Sequence, residues 1–293
     1  DRFQEKVSRF TLDNGMTFLV AERNRAPVVG FVAFIDVGGV NEPKGHTGMA
    51  HFLEHMAFKG TPDIGTTNRE AEKALLEKVD RAYADWLQAK YKSEPGADDN
   101  IESLRREFER LRDEAAQYVV PNAYAKILER NGATDLNAGT SKDYTLYFCS
   151  LPSNRIELWF NLESARLGNP VFRQFYKEKQ VVLEERRMRI GSDPTGRMME
   201  ELQAMAYMAH PYGQPTIGWT TDIIATTRPV MKTFYRRHYF PANITVAVVG
   251  DATPDRVREL AETYFGPTEA RRPEAETITR EPEQQSRRRS TQT

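Results

Sequence analysis

At 293 residues, 39% of them hydrophobic, the chain has enough apolar material for one large domain or two small ones. A formal net charge of −1, with 28% charged residues of both signs, gives no global field that would gather nucleic acid or an anionic membrane surface. The single cysteine, Cys149, excludes an internal disulfide, and no apolar run reaches the roughly 20 residues of a membrane-spanning helix.

The chain opens with two β-rich runs, "SRFTLDNGMTFLVAE" and "PVVGFVAFIDVGG". The first is broken at Asp13-Asn14-Gly15, a strong hairpin signal, and the second reads as a more buried strand. Met49, Phe52, Leu53, Met56 and Ala57 then recur at helical spacing, closed by Gly60 and Pro62. From about 68 to 125 the text turns to Ala, Glu, Lys, Arg and Leu around "KSEPGADDN", which predicts two long amphipathic helices joined by a polar turn. "ATDLNAGTSKDYTLYFCSL" returns to β character. "SNRIELWFNLESARLGN" predicts a helix, and a second helix follows from about Arg173 to Arg189. "HPYGQPTIGW" is a loop, "RPVMKTFYRRHY" a short helix, "NITVAVVGD" a buried strand and "TPDRVRELAETYFG" a helix. Beyond Gly266 the composition is that of a polar, Pro-rich linker. The expected organisation is one α+β module over 1–266, with a mixed or antiparallel sheet, helices on one face and a helical hairpin inserted at about 68–125. Residues 267–293 would be a linker toward a second module.

The chemistry-bearing stretch is "GHTGMAHFLEHMAFKG". Residues four apart on a helix lie one turn apart on one side, so His51 and His55 can offer two imidazoles to one ion while Glu54 falls on the neighbouring stripe. Two neutral imidazoles favour zinc, and a catalytic zinc takes three protein ligands and leaves one position to water. His-x-x-Glu-His is the inverted counterpart of the HExxH zinc motif. The third ligand must come from elsewhere in the chain. An iron site of two histidines and one carboxylate is a chemical rival, but it has no need of a base at Glu54.

Four ordered motifs resemble the N-terminal module of the pitrilysin/insulinase-type (M16) zinc metalloproteases, the group that includes mitochondrial processing peptidase and insulin-degrading enzyme. "GHTGMAHFLEHMAFKGT" is similar to that family's zinc helix, and "GATDLNAGTSKDYTLYF" to its active-site edge strand, with Ala133 where a second glycine often stands. "FYKEKQVVLEERRMRI" resembles the segment that donates the third ligand, and "FYRRHYFPANITVAVVGD" the closing helix-to-strand segment. The resemblance implies Glu185 as third ligand and Glu178, two turns earlier on the same face, as the partner that orients a liganding histidine. Adjacent Glu184 competes for the ligand role but should point away by about 100°.

The implied activity is zinc-dependent hydrolysis of peptide bonds with Glu54 as general base. An extended peptide would pair with the edge strand at Leu136, Asn137, Ala138, Gly139 and Thr140, with Asn137 offering its amide near the scissile bond. His46, His210 and His238 read as loop or packing residues. Family members close a chamber from two related modules, so the resemblance implies a second module or subunit, in a homo- or hetero-oligomer if separate. The alternative is a non-catalytic structural or peptide-binding subunit. The long hairpin looks like that of exported bacterial members, which implies an extracytoplasmic site such as the periplasm.

Overall fold

A computed structural model describes residues 4–92, 98–271 and 276–290. In chain order it runs β1 (Ser8–Thr11), β2 (Thr17–Glu22), β3 (Val28–Ile35), α1 (Met49–Ala57), α2 (Arg69–Lys92), α3 (Asp98–Ala116), α4 (Ala123–Arg130), β4 (Thr134–Thr140) and β5 (Thr145–Pro152). There follow α5 (Ile156–Gly168), α6 (Phe175–Arg186), α7 (Pro194–Ala206), α8 (Thr220–Ala225), α9 (Arg228–His238), β6 (Ile244–Gly250) and α10 (Pro254–Tyr264).

The strands form one mixed six-stranded sheet in the order β1-β2-β6-β3-β5-β4. Among the described residues only the β2–β6 pair is parallel; β6 slots between β2 and β3 and runs antiparallel to the latter. The Asp13-Asn14-Gly15 turn joins β1 to β2, and Asn14 locks it from both sides. Its Oδ1 accepts from Met16 N at 3.1 Å and its Nδ2 donates to Phe265 O at 2.7 Å, just past the end of α10. Alternation along β3, β5 and β6 sends Phe31, Ala33, Ile35, Tyr147, Cys149, Val246 and Val248 to one buried face, as the two-residue strand period requires. α5 and α10 cover that face through stacked Phe31 and Trp159, 4.4 Å between centroids, and through Phe18, Phe160 and Phe265. β4 closes one edge of the sheet and pairs only with β5 among the described residues.

Several elements depart from the expected ones. The charged region holds α2 and α3 as anticipated, although part of the turn "KSEPGADDN" (93–97) lies outside the described residues. A third, unforeseen helix, α4, follows. α7 also escaped the sequence reading because none of its residues is buried, and Met198, Met199 and Leu202 are exposed, so it has no core stripe to detect. Its signal was the cap: Asp193 accepts from Thr195 N and Gly196 N, with Pro194 in the first turn. α8, six residues long, is too short for periodicity to register. The described part of the tail has no helix or strand but lies on the body. Glu276 accepts from Asn41 Nδ2 at 2.9 Å and pairs with Arg237 at 3.0 Å. Glu281 accepts from the consecutive amides of Met208, Ala209 and His210 at 2.8, 2.8 and 3.0 Å.

Candidate metal centre

The site is built on α1. Its first residues carry no Ser, Thr or Asp cap, and the N-terminal amides are met from upstream instead. Glu42 accepts from Gly48 N and Ala50 N, both at 2.7 Å. Gly48 has φ of +86°, and a Cβ there would lie 2.5 Å from Ile217 O, so no other residue fits this helix start unstrained. Thr47 fastens the same corner by donating to Asp222 at 2.7 Å. Below, Phe52 stacks on Phe175 of α6 at 4.6 Å and sets α1 against the helix that carries the two glutamates.

Four residues apart on α1, the rings of His51 and His55 sit 4.8 Å from each other. Glu185 of α6 reaches both: its Oε1 is 3.6 Å from His51 Nε2 and its Oε2 is 3.3 Å from His55 Nε2. One ligand atom from each of the three residues lies within 4.8 Å of the others. A tetrahedral ion with bonds near 2 Å spaces its ligands about 3.3 Å apart, and two imidazole nitrogens with one carboxylate are a donor set that zinc accepts. The residues therefore fit a zinc ion in spacing and in chemistry. Glu184 takes no part; it is half-exposed and pairs with Arg187.

Around the three groups lies a ring of charge. Glu178 Oε1 meets His55 Nδ1 at 3.0 Å, and Lys59 pairs with its other oxygen. Burial alone would lower the pKa of His55, but the carboxylates of Glu178 and Glu185 outweigh it and hold the imidazole up at about 9. Glu178 works against burial too, and its ion partners His55 and Lys59 bring it below the ordinary carboxylate value. Hydrogen bonds from His51 and His55 hold Glu185 far below that range, and Arg189 adds a contact at 3.0 Å. The Nδ1 of His51 is buried with no hydrogen-bond partner among the described residues.

Glu54 projects beside this cluster, half-buried, and accepts from Thr140 Oγ1 at 2.6 Å. That bond joins the metal helix to the end of β4. The register Asn137↔Phe148, Ala138↔Tyr147, Gly139↔Leu146 and Thr140↔Thr145 leaves the far edge of β4 without a strand partner among the described residues. Leu136, Ala138 and Gly139 are half-buried, and a Cβ built at Gly139 meets nothing within 4 Å, so open space adjoins the strand. Asn137 is exposed, with its Oδ1 accepting from Ala138 N. All the candidate residues thus fall on α1, α6 and β4, with α1 touching both of the others. Sequence reasoning missed Lys59, the bond from Thr140 to Glu54, and Glu42 as the cap. The first two adjoin quoted motifs, but their partners are 119 and 86 residues away, beyond any local pattern.

A mixed sheet backed by helices, with an inverted His-x-x-Glu-His helix beside an edge strand, has the form of a metallopeptidase module. The family model described as Insulinase (Peptidase family M16) matches residues 18–99 and 108–220, segments that include His51, Glu54, His55, Glu178 and Glu185, and the chain belongs to that family. A second model, Peptidase M16 inactive domain, matches residues 225–292, which contain none of those five. Zinc protease PqqE of Helicobacter pylori is 28% identical over 89% of this chain and 47% of its own length. The probable mitochondrial-processing peptidase subunit beta of Schizosaccharomyces pombe is 24% identical over 89% of this chain and 45% of its own. The crystal structure of a protease from Helicobacter pylori superposes with a TM-score of 0.71 at 26% identity, over 94% of this chain and 54% of that one. The periplasmic protease PqqL from Escherichia coli shares the fold with a TM-score of 0.68 at 22% identity. The chain spans about half the length of the curated relatives it matches.

Proposed function

We propose that this chain is the metal-binding module of a zinc endopeptidase that hydrolyses peptide bonds in extended or unfolded peptides and works with a second module or subunit of the same family. The observation that carries the reading is the convergence of His51, His55 and Glu185 on one point, with Glu54 beside it and tethered to an open edge strand. Relatives named as zinc proteases support it.

His51, His55 and Glu185 would hold the ion. A zinc ion on three protein ligands supplies Lewis acidity, which lowers the pKa of a coordinated water and polarises a carbonyl. The chain's own groups do the rest. Glu54 takes the proton of the attacking water and delivers it to the leaving amine; the Thr140 hydroxyl donates to its Oε2, and Oε1, which has no hydrogen-bond partner among the described residues, serves that transfer. Glu178 accepts from His55 Nδ1 and so fixes the tautomer that presents Nε2. Lys59 keeps that carboxylate ionised. The peptide adds a strand to β4 from Leu136 to Thr140 through main-chain bonds, a mode that is tolerant of sequence, and Asn137 lends its amide near the scissile bond.

Half-length coverage of the relatives supports a second module, and the fold shared with the periplasmic protease PqqL supports an extracytoplasmic site. The test is cleavage of a quenched peptide by the chain with and without a candidate second module, with a chelator control and Glu54→Gln. Zinc-dependent turnover that Glu54→Gln abolishes while retaining one zinc per chain is expected. Full turnover in that variant would refute the base assignment, and peptide binding without any turnover would support a non-catalytic subunit instead.

A further inference from the structure

The helical hairpin of α2 and α3 contributes no ligand to the metal cluster, yet one side of it grips the helix that does. Arg173, just before α6, is buried and donates through Nε and Nη2 to both oxygens of Glu72 on α2, at 2.8 and 3.0 Å. Tyr176 donates to Asp80 Oδ1 at 3.0 Å, and its ring lies 4.2 Å from that of Tyr83. Lys179 is 1% exposed and donates to Tyr83 Oη at 2.8 Å and to Ile224 O and Thr226 O at 2.8 and 2.5 Å. These acceptors are neutral, and no carboxylate pairs with the ammonium among the described residues.

The direction of the grip matters. Tyr176 and Glu185 are nine residues apart on α6, about 900° or two and a half turns, so they point to opposite sides, and Lys179 stands about 120° from Glu185. Glu178 and Glu185, seven apart, share the other side within about 20°. α2 therefore holds the back of α6 while α1 meets its front through Phe52 and Phe175. Lys179 also donates to Ile224 O on α8 and to Thr226 O just beyond it, so α2 and the end of α8 hold the back of α6 together, and turning α6 about its axis would carry Tyr176 and Lys179 away from Asp80 and Tyr83.

We infer that the helical hairpin is a brace that sets the rotation and axial position of α6, and that Asp80, Tyr83 and Lys179 are positioning residues for the metal carboxylate Glu185. This rests on the zinc-site reading above and extends it to residues that touch neither metal nor substrate. The outer side of the hairpin carries solvated pairs such as Arg110 with Glu107 and Glu114, which contribute nothing to this hold.

The test compares the full chain with Lys179→Met, Tyr83→Phe and, as a control on the outer side, Arg110→Ala. Zinc affinity is read by competition with a chromophoric chelator well below the unfolding midpoint, and the midpoint of the metal-free protein is measured separately. Lys179→Met should weaken zinc about tenfold, the scale of losses seen when a ligand's support is removed, and Tyr83→Phe severalfold. Arg110→Ala should leave zinc affinity unchanged. Lys179→Met should move the midpoint little, since a buried amine with no carboxylate partner is removed along with its hydrogen bonds. Tyr83→Phe changes a single oxygen and provides the folded variant if the methionine does not fold. Zinc affinities of both folded variants within twofold of wild type would overturn the inference. A wild-type chain that binds no zinc would overturn the metal-site reading, and the inference with it.

Discussion

Zinc uptake by this protein should be coupled to a proton on His55, and the two carboxylates that flank the ring set the sign of the effect. In the metal-free protein His55 is held at about 9 between two carboxylates, Glu178 at Nδ1 and Glu185 at Nε2. A metal ligand must be a neutral imidazole, so binding displaces the Nε2 proton, while the Nδ1 proton stays on the bond to Glu178. At pH 7, two units below that value, about one molecule in a hundred has a neutral ring, so apparent affinity should rise about tenfold per pH unit from 7 to 9. The stability of the metal-free protein runs the other way. A histidine whose folded pKa is raised contributes stability that is fully present below its unfolded value of 6.5 and lost as pH climbs through about 9. For this mostly buried ring that loss is about 1 to 3 kcal/mol. Competition titrations at pH 7, 8 and 9, with calorimetry in buffers of different ionisation enthalpy, should show the slope and the release of about one proton. Glu178→Gln should flatten the slope. A pH-independent affinity, or an unchanged slope in Glu178→Gln, would refute the reasoning.

Gly139→Val places a branched side chain in space that is open in the structure, so folding should be retained while peptide cleavage falls through KM; unchanged kinetics would argue against strand addition at β4. Arg166, buried against Glu163 and stacked 3.9 Å over the Tyr147 ring, balances a carboxylate with no access to water. Arg166→Met should therefore destabilise by about 3–5 kcal/mol in urea unfolding, and a loss below 1 kcal/mol would contradict that balance. Glu281→Ala should speed hydrogen exchange at Met208, Ala209 and His210 and expose the tail to trypsin after Arg280, and unchanged exchange would show that the tail does not cover those amides.

Local signals reported local facts well. The Asp13-Asn14-Gly15 turn, the two-residue alternation of β3 and β6, and the four-residue spacing of His51 and His55 were all legible because each depends on neighbours within one element. Glu185 came from the resemblance of "FYKEKQVVLEERRMRI" to the family's third-ligand segment, and its seven-residue interval from Glu178, which returns to the same helix face, agrees with that assignment. What stayed hidden depends on partners far along the chain. "FYKEKQVVLEERRMR" has the look of a salt-laced surface helix, yet Lys179 is buried because Tyr83 and two carbonyls receive it, and Glu178 because His55 and Lys59 do. Composition likewise makes residues 267–293 read as linker, and the contacts that hold the described part lie far off in sequence: Glu281 on three amides, and Glu276 on Asn41 and Arg237. α7 went unseen for the opposite reason, an absence of any buried stripe.

The most direct measurement is anomalous diffraction at the zinc edge from crystals of the full chain carrying Glu54→Gln, grown with one equivalent of zinc. The account predicts a single peak bonded to His51 Nε2, His55 Nε2 and a Glu185 oxygen, with Glu178 still on His55 Nδ1. A peak elsewhere, or ligation by Glu184 or Glu178 in place of Glu185, would contradict it.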